Sequence, residues 1–313
     1  MTPATSLKQN GLVPVLGMSA VIVAVNAWLQ PSFFDASSIA SNLASLAPLI
    51  LVSVAQAIVI LNRELDLSMG AGVSLLNCLL ASFAPYSLGG VPGQLAATLG
   101  VALLLGATNG VLVAVLGLPS LIATFATSAL WFGGALAIMP QPGGAVGEAI
   151  GDAYYATVAG VPVPLLVIAG AMALWMLVSR HRVGRWIVVT GSSPAAVFQA
   201  GISLIRVRLG AYLLAWFFVF LSAVAISAQT LSGDARLAQS YTLGSIAACV
   251  IGGISLRGGK GSPWGALLGA VVLGVIGNVI YFAGIPSSWQ EFTKGLIVVG
   301  ALGFIVFEQR TAR

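Results

Sequence analysis

The chain has 313 residues, 58% of them hydrophobic and 7% charged, with a mean hydropathy of +1.03. A soluble globular protein is roughly a quarter charged, so this composition excludes a chain whose whole surface meets water; its solvent is mostly lipid. The net charge of +5, from 13 Lys and Arg against 8 Asp and Glu, does not point to nucleic acid, because the basic residues fall in short loops and read as orientation signals.

A spanning helix needs about twenty mostly apolar residues. Ten are predicted in chain order: 11–30, 41–61, 67–85, 94–116, 119–139, 161–179, 209–229, 240–256, 263–283 and 291–308. The first ends in bulky Trp28-Leu29-Gln30-Pro31 and reads as an uncleaved span, not a secretory signal. Only Gly117-Leu118 separates the fourth and fifth, which also fits a reentrant pair, and the eighth is short. Eight or nine spans is the alternative count. With the N-terminus in the cytoplasm, the inner segments hold Lys8, Arg63, Arg180, Arg182, Arg185, Arg206, Arg208, Arg257, Lys260, Arg310 and Arg313. Only Arg236 and Lys294 fall outside. This sorting predicts an all-α integral membrane protein with about ten helices and both termini cytoplasmic. The whole chain, 1–313, reads as one transmembrane domain with no tandem repeat.

Between the second and third spans lies "LNRELDLSMG", 61–70, with three ionisable groups in four residues. Ions at mid-bilayer are costly, about 2.5–3.5 kcal/mol each on insertion scales. Arg63 is expected to pair with Glu64 or Asp66, and Asp66 or Ser68 to cap the third span. Two longer loops follow, an outer one at about 140–160 and an inner one at about 180–208. In the inner loop, Ser193 before Pro194 predicts a short helix that ends near Gly201. Its small Ala195 and Ala196 leave a flat face for a partner.

Chemistry is sparse. His181 stands among arginines without a nucleophile or metal partner. "LRGGKGS", 256–262, lacks the spacing of a phosphate loop: Ile254 stands where the first Gly is needed and Gly261 follows Lys260. It reads as a tight inner turn. Cys78 and Cys249 read as packing residues. An enzyme is not expected, nor a metal or cofactor on this chain.

Four blocks carry a resemblance. "LDLSMG" (65–70), "NGVLVAVLGLPSLIATFATSAL" (109–130), "GSSPAAVFQAGI" (191–202) and "YTLGSIAACVIGGISLRGGKGSPWGALLGAVVLGVIGN" (241–278) occur in the order seen in ribose-permease-like subunits of bacterial ABC importers for monosaccharides. The chain resembles that family from about residue 40 to 303. The resemblance implies a type II ABC-importer-like permease in the bacterial inner membrane. A second permease subunit, identical or different, would complete the pore. A cytoplasmic ATPase would hold ATP and Mg, and a periplasmic sugar-binding protein would deliver a sugar of the ribose, xylose, arabinose or galactose class.

By the same resemblance, Gly191, Ser193, Pro194, Ala195, Ala196 and Gly201 belong to the element that couples to the ATPase. Glu148, Asp152, Asp234, Arg236, Glu291 and Lys294 are where the binding protein would dock. Ser192-Ser193-Pro194 replaces the usual acid of the coupling loop, and Gly244 stands where the family has an acid or Asn. Gln56, Asn77, Asn109, Thr124, Thr127 and Asn278 either line the sugar path or join helices. Asp66 and Ser68 either form a capped break or border the inner mouth of that path. Nucleosides or branched-chain amino acids are the alternative substrates, and an ion-coupled secondary transporter is the alternative mechanism.

Overall fold

A computed structural model describes residues 12–83, 88–286, 288–297 and 299–300. Twelve helices are labelled in chain order: α1 Leu12–Leu29, α2 Ala36–Leu61, α3 Met69–Ser82, α4 Gly90–Ala114, α5 Ser120–Ile138, α6 Glu148–Tyr155, α7 Val163–Arg180, α8 Arg182–Ser192, α9 Pro194–Gln199, α10 Leu204–Thr230, α11 Gln239–Ile251 and α12 Pro263–Phe282. Residues 288–297 are also helical. The strands are the two-residue pair β1 Thr157–Val158 and β2 Val161–Pro162, antiparallel to each other.

Six helices are long and apolar enough to cross a membrane: α2, α4, α5, α7, α10 and α12. Ser19–Leu29 of α1, α3 and α11 are apolar but shorter. The described residues therefore give a multi-pass helical membrane protein, with fewer full-length spans than the ten expected. The expected spans at 67–85 and 240–256 shrink to 14 and 13 residues, about 20 Å of helix at 1.5 Å per residue. Irregular segments 62–68 and 231–238 precede them. Non-helical backbone at membrane depth is tolerated only where protein buries and pairs it, and here it is paired. The end of the tenth predicted span, the first residues of the first, and both chain termini lie outside the described residues.

The core is built on α2 and α10, which run antiparallel. Pro48 sits inside α2 and has no N–H, so the carbonyl of Ala44 loses its helical donor. Tyr154 Oη donates to it at 2.7 Å and Gln229 Nε2 at 2.9 Å. Ser222 Oγ donates to the carbonyl of Pro48 at 2.8 Å. Tyr154 belongs to α6, outside the spans, and burial pushes its phenol up, so it remains a donor.

Parts of the chain correspond at an offset of 168 positions, beginning with the antiparallel α2 and α10. Adding 168 to the start of α2 gives the start of α10. Asp66 and Asp234 correspond, and each accepts from the amide two residues on, Ser68 N and Arg236 N, at 2.8 Å. α3 and α11 cross with reciprocal bonds. Gly70 N donates to Thr242 Oγ1 at 3.1 Å, and Ala238 N donates to Ser74 Oγ at 3.1 Å. Each short helix thus satisfies an orphan amide at the other's start. Cβ-free Gly70 permits the approach, since an added Cβ would lie 2.5 Å from the Ala238 carbonyl.

The loops differ from expectation in content. The outer loop holds α6 and the β-pair, and the inner loop holds α8 in addition to the predicted α9. α8 gathers Arg182 and Arg185 among its exposed residues while Ile187 is buried, as expected of a helix lying along a boundary.

Candidate functional site

The break before α3 folds around Asp66, which has no exposed surface. Its Oδ1 accepts from Ser68 N at 2.8 Å and Ser68 Oγ at 2.6 Å. Its Oδ2 accepts from Asn109 Nδ2 at 3.1 Å and Trp216 Nε1 at 3.0 Å. Four donors fill both oxygens, which is how a buried carboxylate escapes its desolvation cost. Asn109 Nδ2 also reaches Ser68 Oγ at 2.8 Å, and Thr127 Oγ1 donates to Asn109 Oδ1 at 2.8 Å. Thr124 Oγ1 accepts from Leu67 N at 3.0 Å. One network therefore ties the break to α4, α5 and α10.

Trp216 is the residue that sequence reasoning missed. Its indole is slotted between two glycines: a Cβ on Gly72 would lie 2.5 Å from the ring, and one on Gly106 2.6 Å. No local pattern marks a Trp in an apolar helix as the partner of an acid 150 residues away.

Of the predicted path residues, Asp66, Ser68, Asn109, Thr124 and Thr127 come together here, all buried. Asn77 lies apart: its Nδ2 donates to Ser227 Oγ and the Ser232 carbonyl, and its Oδ1 accepts from Asp234 N. It fastens α3 to segment 231–238. Asn278 donates to Asn42 Oδ1 at 2.8 Å, joining α12 to α2. Gln56 is fully buried in α2, and neither of its amide atoms finds a partner among the described residues. Among the described residues Arg63 makes no ion pair within 4 Å, although its charge still acts on the adjacent Glu64. It stands exposed at φ +67°, and Glu64 instead meets Arg208 of α10 at 3.3 Å. The positive φ turns the Arg63 side chain outward, while Glu64 points back to the bundle.

A cavity of about 410 Å³ opens beside the crossing of α3 and α11, within the size range of small-molecule sites. Phe125 and Phe132 of α5 supply flat apolar faces, and Ser128, Gln239 and Thr242 supply neutral hydrogen-bonding groups. No ionisable side chain lines it.

The inner end carries α9. Ser193 caps it, accepting from Ala196 N at 3.3 Å, as its Ser-Pro start predicts. Ala195, Ala196 and Phe198 are exposed while Val197 is buried. The helix is fastened from behind through the Gly-rich turn. Gly259 N donates to the Leu61 carbonyl at 3.0 Å, and Ser192 Oγ donates to the Gly259 carbonyl at 3.2 Å. Gly191 lets these strands of backbone meet, because an added Cβ would collide with the Leu61 carbonyl and lie 2.6 Å from Gly259 N. Gly258, at φ +83°, likewise packs on Arg63. The start of α9 is therefore two bonded contacts from the end of α2, and the break with Asp66 follows at once.

At the opposite end, Gly143 and Gly233 form an antiparallel bridge, and Arg236 Nη1 donates to the Pro140 carbonyl at 3.3 Å. Glu148 and Asp152 are exposed on α6, whose Gly151 packs on Leu231. Four of the six predicted docking residues, Glu148, Asp152, Asp234 and Arg236, thus share one platform. Glu291 and Lys294 form their own ion pair at 3.8 Å. Among the described residues, no group of three or more His, Cys, Asp and Glu comes together.

Comparison with known proteins agrees with this architecture. The chain is 28% identical to the ribose import permease protein RbsC of Haemophilus influenzae, over 90% of this chain and 89% of that one. It is 30% identical to the autoinducer 2 import system permease protein LsrC of Enterobacter sp. strain 638, over 94% and 84%. It is 31% identical to the ribose import permease protein RbsC of Bacillus subtilis strain 168, over 93% and 91%. No solved structure gives a significant match. The family model described as branched-chain amino acid transport system / permease component matches residues 38–302, and the chain belongs to that family.

Proposed function

We propose that the chain is a membrane-spanning permease subunit of an ATP-binding-cassette importer that moves a monosaccharide across the bacterial inner membrane. The observation that carries this reading is the exposed helix α9, fastened through Ser192 and Gly259 to the end of α2. A push on α9 from a soluble ATPase would reach the break at Asp66, where the two halves of the fold cross. ATP and Mg would sit on that ATPase, coupled through Gly191, Ser193, Pro194, Ala195, Ala196 and Gly201. A periplasmic binding protein would deliver the sugar to the α6 platform, and a second permease would close the pore.

The relatives named for ribose import support a sugar as the cargo. The cavity beside α3 and α11 supports it too. Aromatic faces match the C–H faces of a sugar ring, and Ser128, Gln239 and Thr242 match its hydroxyls. A free amino acid would call for charged partners that this lining lacks. An ion-coupled mechanism is less well supported, because all four contacts to Asp66 are donors and its carboxylate is used as a fixed acceptor.

Phe198 is 74% exposed on α9, a large aromatic with no packing role in the protomer. Phe198→Asp is expected to lower co-purification of the cognate ATPase at least tenfold, with membrane insertion unchanged. Undiminished co-purification would remove α9 as the contact.

A further inference from the structure

The end of α7 and the first half of α10 leave a groove of about 620 Å³ between them. Leu177 and Val178 form one wall, and Gly210 and Leu214 the other. Gly210 faces this open space, since a Cβ added there would meet nothing within 4 Å. Both helices are long and apolar enough to cross a membrane, so these walls stand in hydrocarbon. The mouth is different. Arg180 and His181 line it, at the last residue of α7 and the first beyond it. Arg206 lies four residues before Gly210 on α10, on the same face and one turn nearer the helix end. All three basic side chains are exposed. Among the described residues the ion pairs formed are Arg208 with Glu64 and Lys294 with Glu291, so no acid neutralises this mouth.

An occupant must therefore bring an apolar tail to the groove and an anion to its rim, at the depth of the lipid headgroups. We propose that the α7–α10 groove is a binding site for one anionic phospholipid. An acyl chain lies along Gly210 and Leu214, and the phosphate is held by Arg180, Arg206 and His181. A free phosphate would meet the rim but leave the apolar walls bare. A zwitterionic lipid brings its own cation to a rim that already has three basic groups. The charge at the mouth thus selects the headgroup, and Gly210 admits the chain.

Native mass spectrometry of the full-length permease in mild detergent tests this, with phosphatidylglycerol and phosphatidylcholine as probes. Wild type is expected to retain one phosphatidylglycerol, and at least fivefold less phosphatidylcholine at equal concentration. Gly210→Leu, which fills the groove without a clash, should cut retained phosphatidylglycerol at least fivefold. Arg180→Gln with Arg206→Gln should bring it down to the phosphatidylcholine level, and millimolar inorganic phosphate should not displace it. Wild type labelled with a photoreactive acyl chain should be marked between Leu177 and Leu214, which keeps the test independent of how the variants fold. Equal retention of the two lipids, a Gly210→Leu variant that binds like wild type, displacement by phosphate, or labelling only elsewhere would each overturn the proposal. So would cross-links from Leu177 to a second copy of the chain.

Discussion

Asp66→Ala is expected to abolish uptake and to destabilise the purified permease by about 3 kcal/mol or more, since each buried donor left unpaired costs about 1–3 kcal/mol. The change strands Ser68 N, Ser68 Oγ, Asn109 Nδ2 and Trp216 Nε1 at once. Ser68 Oγ can turn to another acceptor, but the indole cannot, because Gly72 and Gly106 hold the Trp216 ring on both sides. Asp66→Asn keeps one acceptor oxygen and places an NH₂ against groups that are themselves donors, so it should fall between wild type and Ala. Uptake and thermal unfolding in detergent, measured on both variants, check the order. Equal stability of all three proteins would show that the network is dispensable.

The second large effect is expected at the inner relay. Gly191→Ala puts a Cβ against the Leu61 carbonyl and Gly259 N, both backbone groups that cannot swing aside as a side chain can. The Gly259 N–H to Leu61 carbonyl bond must then open, and α9 loses its fastening to α2. Overpacking of this kind costs about 1–3 kcal/mol locally. The consequence for function is larger, because the lost bond lies on the route from α9 to the break. Uptake should fall at least tenfold while ATP hydrolysis by the assembled complex continues, giving an uncoupled transporter. Uptake at the wild-type rate per complex would show that α9 does not act through Leu61.

Much of this arrangement is legible in the sequence. Hydropathy alone finds the long helices, because lipid forces each to be apolar for its full length. Ser193-Pro194 finds α9, because capping chemistry is local. "LDLSMG" is conspicuous because charge is scarce. What stays hidden depends on contacts across the chain. The close partner of Glu64 is Arg208, 144 positions away, and not the adjacent Arg63. The correspondence at 168 positions is hard to see because the identities it keeps are mostly apolar, such as Ala55 with Ala223 and Ile58 with Ile226, while Ser68 stands against Arg236 and Gly70 against Ala238. Asp66 with Asp234, and the hydroxyls of Ser74 and Thr242, are polar sites that keep their chemistry. α3 and α11 look like full spans because apolar residues just beyond them, such as Leu67 and Phe83 or Ile254 and Leu256, prolong the hydropathy past the helix ends.

Asn109, Thr124 and Thr127 are legible as polar at mid-span and Asp66 and Ser68 as polar at a span end, and they bond mostly to one another, with Trp216 added. Polar side chains in a membrane interior face either water or each other. Hydropathy cannot separate the two cases, since both require only that they avoid lipid. In this conformation they join helices, and the neutral groups that line open space are Ser128, Gln239 and Thr242.

In the proposed function, ATP acting through α9 drives sugar movement. Uptake of labelled pentoses and hexoses by cells expressing this permease with a cognate ABC ATPase and sugar-binding protein tests it most directly. Uptake is expected to persist when ion gradients are collapsed and ATP is maintained, and to stop when ATP is depleted with the gradients intact. Uptake that follows the gradients and ignores ATP would contradict it.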